Sequence, residues 1–82
     1  MSMDWRAHIY SNPRIYGGKP IFRDIRVSVE MVLKLMAAGW SAEQMAEEYT
    51  GILQIYLPAA AAFAAELLHE EESAAADRAR AA

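Results

Sequence analysis

The fold is organised around one segment near the N-terminus, Gly17-Gly18-Lys19-Pro20-Ile21-Phe22-Arg23-Asp24-Ile25-Arg26-Val27-Ser28. Two adjacent glycines permit positive φ angles, and Pro20 fixes its own φ while it pushes Lys19 into an extended conformation. The residues that follow alternate imperfectly between apolar and charged, which indicates either one kinked strand or two very short strands. Because so short a ribbon is marginal in water, it must pack on helices or pair with a second copy.

Upstream of this segment, Ile9-Tyr10 and Ile15-Tyr16 flank Ser11-Asn12-Pro13-Arg14, whose Asn-Pro pair favours a turn. We therefore predict a β-ribbon over residues 8–27, with a strand on each side of this turn and the second strand leading into the Gly-Gly corner. The residues that set the geometry of the ribbon are Gly17, Gly18 and Pro20.

Two helices follow the ribbon. Ser28 is a good N-cap for a helix over about residues 28–38, where apolar residues then recur at helical spacing. The pattern Ser41-Ala42-Glu43-Gln44 is a capping box, and it predicts a second helix over residues 42–49.

A third helix must accommodate Pro58, which is tolerated only in a first turn. We predict this helix over about residues 55–72, followed by an alanine-rich tail over residues 73–82 that has little to bury and is expected to fray. Residues 1–72 are thus predicted to form one α+β domain, mostly α: a short N-terminal β-ribbon and a three-helix, helix-turn-helix-like (homeodomain-like) unit.

The composition excludes several classes of protein. A chain of 82 residues, 55% hydrophobic and 23% charged, suits one small globular domain. It has no cysteine, so it holds no disulfide and no thiolate metal site, and a cytoplasmic location is expected. The longest apolar run, residues 57–65, is too short to cross a bilayer, and we expect no membrane or targeting segment.

Charge is divided unevenly along the chain. Residues 1–34 carry six Lys or Arg against three acidic residues, whereas residues 35–82 carry two against eight. The basic half suits phosphates or an acidic protein surface, although exposed arginines also simply keep a strand edge soluble. The cations predicted to contact a protein partner or nucleic acid are Arg14, Lys19, Arg23 and Arg26.

The sequence contains few residues that could form a catalytic site. His8 and His69 lie at opposite ends of the chain, and no metal-binding spacing is present. Gly17-Gly18-Lys19 lacks the spacing of a phosphate-binding loop, and Pro20 replaces the Ser or Thr that holds Mg²⁺. We expect no enzyme, and no catalytic, metal or cofactor residues.

Two kinds of binding stay open on the residues alone. If the second and third helices form a helix-turn-helix, a DNA groove would meet Gln54, Ile55 and Tyr56, but the predicted third helix contains no Lys or Arg. The basic ribbon, doubled in a symmetric dimer, is the other route to DNA. Alternatively, the eight aromatic residues exceed what so small a core holds, which favours a protein partner that covers some of them.

Three blocks of sequence and one further residue, within residues 9–68, match a known sequence pattern. They are Ile15-Tyr16-Gly17-Gly18-Lys19-Pro20-Ile21-Phe22-Arg23, then Arg26-Val27-Ser28-Val29, then Ala38-Gly39-Trp40-Ser41-Ala42-Glu43-Gln44, and Tyr49. Together they resemble the small bacterial DUF433 family. The resemblance implies a trihelical protein with an N-terminal β-ribbon and a role as an antitoxin to a PIN-like ribonuclease toxin, with operator binding as a further role. The chain departs from the family pattern at Asp24-Ile25, where Gly-Thr is usual, so a different turn geometry is expected there.

We therefore predict a cytoplasmic homodimer that pairs through the ribbon and acts as the antitoxin-like binding module of a type II toxin–antitoxin pair. It would neutralise a PIN-like ribonuclease and autoregulate its operon. The alternatives are a stand-alone helix-turn-helix regulator that binds DNA, and a structural homodimerisation domain without a ligand.

Overall fold

A computed structural model describes residues 3–81 of the chain. Its elements are β1 (Ile9–Tyr10), β2 (Ile21–Phe22), α1 (Val29–Ala37), α2 (Ala42–Glu48) and α3 (Tyr56–Ala81), with single-turn 3-10 helices at Trp5–Ala7 and Tyr16–Gly18. A short antiparallel ribbon followed by three helices is the mostly α, α+β fold that the sequence predicts. Residues 1, 2 and 82, which the predicted domain and tail include, lie outside the described residues.

The ribbon is held on both sides of its second strand. β1 and β2 pair antiparallel, with Ile9 opposite Phe22. The other edge of β2 is also occupied, because the Phe22 N–H donates to the Val27 carbonyl at 3.2 Å and Ile21 bridges to Ser28. Within residues 3–81, the free edge of the ribbon is therefore that of β1, which is two residues long.

The predicted strand at Ile15-Tyr16 is wrong. Tyr16–Gly18 forms a 3-10 turn instead, in which the Gly18 N–H donates to the Ile15 carbonyl at 3.1 Å. Tyr16, Gly17 and Gly18 have φ angles of 50°, 65° and 88°. Three successive residues in the left-handed region turn the chain and cannot continue a strand.

The turn at Asp24 also differs from expectation. Although aspartate stands where the family pattern has glycine, its φ is 70°, in the region that a glycine would adopt. Aspartate is one of the few residues that enter this region with modest strain. The tight turn is therefore kept, and the sequence-based expectation of a different geometry is wrong.

α1 and α2 begin where side chains satisfy the first free backbone N–H groups. The Ser28 hydroxyl accepts a hydrogen bond from the Met31 N–H at 3.1 Å. Ser41 and Gln44 form both halves of the predicted capping box, at 3.1 and 2.8 Å. α3 begins at Tyr56, which places Pro58 in the first turn, as its missing N–H requires.

The last helix is longer than the sequence predicts. α3 spans 26 residues and continues to Ala81, whereas an end near residue 72 and a frayed tail were expected. Alanine has the highest intrinsic helix propensity, so this segment continues the helix with little packing. At 1.5 Å per residue α3 is about 39 Å long, in a protein whose principal extents are 50 × 30 × 26 Å.

The core lies where the ribbon meets the helices. Phe22 is fully buried, and its ring stacks on that of Tyr56 with centroids 4.4 Å apart. The Tyr56 hydroxyl donates to the Arg23 carbonyl at 3.3 Å, and burial raises the pKa of this hydroxyl. The other buried core residues are Ile9, Ile21, Val29, Val32, Met45, Ile52, Ala59 and Ala60. Packing on helices is therefore how this chain stabilises its short ribbon.

The N-terminal segment is fastened to the middle of α3. The Trp5 indole N–H and the Arg6 guanidinium donate to the two carboxylate oxygens of Glu66, at 2.6 and 2.7 Å. The Trp5 ring also meets Phe63 edge-on, with centroids 5.0 Å apart. The hydrogen bonds from Arg6 and Trp5 lower the pKa of Glu66.

Candidate functional site

A cleft of about 470 Å³ lies between the Gly-Gly turn and the start of α1. It combines an aromatic ring, a thioether, a hydroxyl and two cations, and its lining residues are Tyr16, Lys19, Arg26, Ser28 and Met31. We call it the basic cleft. Apolar surface with a few convergent polar groups is typical of a binding site.

The Gly-Gly turn places the aromatic ring at the basic cleft. A Cβ atom added at Gly17 or Gly18 would meet nothing closer than 3.8 Å, so the requirement at both positions is their positive φ and not a lack of space. Tyr16 itself has a left-handed backbone, which costs about 1–2 kcal/mol for an L-residue. Its hydroxyl donates to the Arg26 carbonyl at 3.2 Å, yet the residue stays 54% exposed. The turn thus fixes the orientation of a ring that remains accessible to a partner.

Pro20 connects this turn to α1. Lys19 is extended, with φ −63° and ψ 144°, as the residue before a proline should be. The Pro20 carbonyl then accepts a hydrogen bond from the Val29 N–H at 3.0 Å. This bond holds the segment that carries Lys19 against the first turn of α1.

Positive charge predominates around the basic cleft. Lys19 and Lys34 share one carboxylate, that of Glu30, at 3.3 and 3.2 Å. Hydrogen bonds from Lys34 and Lys19 lower the pKa of Glu30. None of the ion pairs within residues 3–81 involves Arg26. The site therefore keeps excess positive charge that an anionic group can neutralise.

The structure brings together two of the four predicted cations, Lys19 and Arg26. Arg23 points to β1 instead, where its guanidinium lies 4.9 Å from the ring centroid of Tyr10. Arg14 is exposed in the turn that precedes the Gly-Gly turn. The predicted basic surface is therefore divided, with one pair of cations in the cleft and the other two outside it.

Sequence reasoning missed two lining residues of the cleft. Ser28 was identified only as a helix cap, and Met31 was not identified at all. Val29 and Val32 form the buried stripe of α1, whereas Met31 lies beside that stripe and is only half-buried. A methionine outside the apolar stripe of a helix was the signal available in the sequence.

The start of α3 does not form a basic recognition surface. Tyr56, one of the residues considered for a DNA groove, is buried in the core at 4% exposure. The neighbouring exposed side chains Leu53 and Ile55 are apolar, and the first Lys or Arg in α3 is Arg78, near the other end of the helix. Contacts to DNA phosphates need cations, and the start of α3 supplies none.

Residues 3–81 contain no group of three His, Asp or Glu side chains placed to hold a metal ion. Every buried side-chain nitrogen or oxygen in the same part of the chain has a hydrogen-bond partner. The helices described there do not reach the combination of length and apolar composition that crossing a membrane requires.

Residues 9–64 match the model of a family described as "Protein of unknown function (DUF433)". No curated protein and no solved structure matches the chain. The matched residues run from β1 into the first half of α3. They include the whole basic cleft and end before the exposed glutamates at residues 70–72.

Proposed function

The chain belongs to the DUF433 family, and from this membership we propose that it is the antitoxin-like binding module of a type II toxin–antitoxin pair. Its partner is a PIN-like ribonuclease, which it binds and neutralises. A PIN-like ribonuclease is the partner that the resemblance of the sequence to this family implies. The observation that supports the proposal is the basic cleft, in which two cations lie beside an exposed aromatic ring.

The chemistry of the basic cleft fits an acidic enzyme site. Carboxylates held close together repel one another, and nearby cations stabilise their charged forms. Lys19 supplies a mobile ammonium group, and Arg26 supplies a planar guanidinium that can bind a carboxylate through two hydrogen bonds. Tyr16 and Met31 add apolar contact, and tyrosine with arginine is a common pair of interface anchors. A surface of this kind blocks RNA cleavage by covering the acidic site of the ribonuclease.

The proposal is tested with the tagged chain purified from its own host. Proteins that co-purify are identified by mass, and the eluate is assayed for ribonuclease activity before and after the partner is separated. We expect a small ribonuclease that is silent in the complex and active when free. A complex without any ribonuclease, or one that cleaves RNA while still bound, contradicts the proposal.

Two charge-reversal variants identify the surface that is responsible. Lys19→Glu with Arg26→Glu reverses the basic cleft and should abolish inhibition. Arg14→Glu with Arg78→Glu makes the same change in net charge at exposed positions outside the cleft and should leave inhibition intact. Equal loss of inhibition in both variants would show that net charge, and not the cleft, is what the ribonuclease recognises.

The autoregulatory part of the proposal relies on the two cations outside the cleft. Arg14 and Arg23 are exposed and do not line the basic cleft, so they stay accessible when a toxin occupies it. We expect a gel shift with operator DNA that weakens steeply as salt rises. Loss of the shift in Arg14→Ala with Arg23→Ala is expected, and no shift at low salt rejects operator binding by the chain alone.

A homodimer belongs to the same proposal. If it formed through the ribbon, a second copy would pair with β1, since both edges of β2 are occupied. Light scattering at micromolar concentration should give the mass of two protomers. A mass of one protomer under these conditions rejects the dimer.

A further inference from the structure

We infer that the basic cleft, when no ribonuclease covers it, receives the acidic second half of α3 from another copy of this chain, so that two protomers form a reciprocal dimer. The occupant is the exposed helix face formed by Leu68, Glu71 and Glu72. This inference rests on the same cleft as the proposed function. Its occupant, however, lies outside the residues that match the family, which end at residue 64.

The second half of α3 leaves the core of its own chain. Glu66 is the last residue of the helix that the N-terminal segment holds by hydrogen bonds, and residues 67–73 are all exposed. Leu67 borders a shallow groove beside Trp5, but Leu68 is 62% exposed. Leu68 therefore offers apolar surface to a partner, on a helix segment that its own chain does not cover.

One face of this segment joins an apolar side chain to two carboxylates. Leu68 precedes Glu71 and Glu72 by three and four residues, and this spacing places all three on the same side of a helix. The preceding part of α3 contains no Lys or Arg. The carboxylates are therefore not neutralised by cations one or two turns earlier in their own helix.

The basic cleft is complementary to this helix face both in its apolar surface and in its charge. Its Tyr16 ring and Met31 thioether suit a leucine side chain, while Lys19 and Arg26 suit carboxylates one turn further along the helix. The same complementarity extends over the chain, with six cations against three acids in residues 1–34 and two against eight in residues 35–82. Charge complementarity of this kind selects a partner and its orientation.

A reciprocal arrangement makes the contact twice. Two-fold symmetry brings the helix of each protomer to the cleft of the other, and the interface closes without further copies. Repetition is needed because a stable interface buries about 1,600 Å² in total, more than one turn of helix supplies. Pairing through the ribbon would give a smaller interface, since the free edge of β1 is two residues long.

The test uses two charge reversals of the full chain, with circular dichroism as a check on folding. Lys19→Glu with Arg26→Glu makes the cleft acidic, and Glu71→Lys with Glu72→Lys makes the helix face basic. We expect a salt-sensitive dimer of the 9.1 kDa wild-type chain in analytical ultracentrifugation. Each variant alone should dimerise at least about tenfold more weakly, because like charges then face each other at both contacts.

The mixture of the two variants is the decisive sample. An acidic cleft then meets a basic helix and a basic cleft meets an acidic helix, so a one-to-one heterodimer should form. The control is Glu43→Lys with Glu47→Lys, which makes the same charge change on exposed positions of α2. This control should dimerise like the wild type. Mixed with the cleft variant, it should form a heterodimer more weakly than the Glu71→Lys with Glu72→Lys variant does, because one of the two contacts then sets an acidic cleft against an acidic helix.

A monomeric wild type, a dimer that neither reversal weakens, a mixture that stays unpaired, or polymers that grow with concentration would each overturn the inference. Its failure can be told apart from failure of the proposed function. Glu71→Lys with Glu72→Lys leaves the cleft unchanged, so ribonuclease inhibition should persist in this variant while the dimer is lost. A reciprocal dimer that inhibits no ribonuclease would reject the proposed function and keep the dimer.

Discussion

Replacing Gly51 by alanine should destabilise the protein through one identifiable contact. Gly51 lies between α2 and α3 with φ +97°, and a Cβ atom at this position would stand 2.6 Å from Cγ2 of Ile25. Gly39, between α1 and α2, has a similar φ of +89° but nothing within 4 Å of its added Cβ. The two glycines therefore share the backbone strain of a substitution and differ in the steric clash.

The difference between the two variants can be worked out from these distances. A left-handed backbone costs an L-residue about 1–2 kcal/mol, and this applies to both positions. Overpacking at Gly51 adds about 1–3 kcal/mol, because Ile25 is half-buried and must shift. We expect Gly39→Ala to lower the free energy of unfolding by about 1–2 kcal/mol and Gly51→Ala by about 2–5 kcal/mol, against a typical total of about 5–15 kcal/mol.

Urea unfolding followed by far-UV circular dichroism measures these free energies. A double-mutant cycle then isolates the contact, because Ile25→Ala removes the Cγ2 atom that clashes. In the Ile25→Ala background, Gly51→Ala should cost no more than Gly39→Ala costs in the wild type. Equal losses for the two glycines in the wild type, or an unchanged cost of Gly51→Ala in the Ile25→Ala background, would refute the reasoning.

Three further predictions concern single side chains. Asp24→Gly should raise the free energy of unfolding by up to about 1 kcal/mol in urea, because relief of its left-handed strain exceeds the extra entropy of an unfolded glycine; a loss of stability would contradict this. Phe22→Ala should cost about 3–5 kcal/mol, since it empties a buried site stacked on Tyr56, and a loss below 1 kcal/mol on the same urea scale would be inconsistent with the stack. Because the pKa of Glu66 is lowered in the folded state, its charged carboxylate stabilises the fold at pH values above the usual carboxyl range. The free energy of unfolding of the wild type should therefore exceed that of Glu66→Gln at pH 7, and this difference should shrink as the pH falls through the lowered pKa. A difference that stays constant in urea unfolding down to acid pH would contradict this prediction.

Local signals in the sequence were sufficient for much of the fold. The caps at Ser28 and Ser41 and the position of Pro58 involve partners within four residues, and each lies where its pattern places it. The extended conformation of Lys19 follows in the same way from the proline next to it. Interactions of this range depend only on neighbouring residues, so they can be read without knowledge of the rest of the chain.

The candidate site was predicted only in part. Sequence reasoning selected four cations by charge and position, and Lys19 and Arg26 do meet in one cleft. It could not separate them from Arg14 and Arg23, because all four belong to one short segment of similar composition. The left-handed backbones of Tyr16 and Asp24 turn the chain between these cations, and a tyrosine carries no local signal for that conformation.

Contacts between residues far apart in the sequence determined the parts of the fold that local signals did not predict. Phe22 stacks on Tyr56 across 34 positions of the chain, and helical spacing alone does not identify the residue against which this buried tyrosine packs. Within residues 3–81, the pairing of β2 with both β1 and the segment before α1 likewise leaves the short strand β1 as the free edge of the ribbon. Such contacts depend on which apolar surfaces meet when the whole chain packs, and the energy of that packing is shared among residues that no local pattern connects.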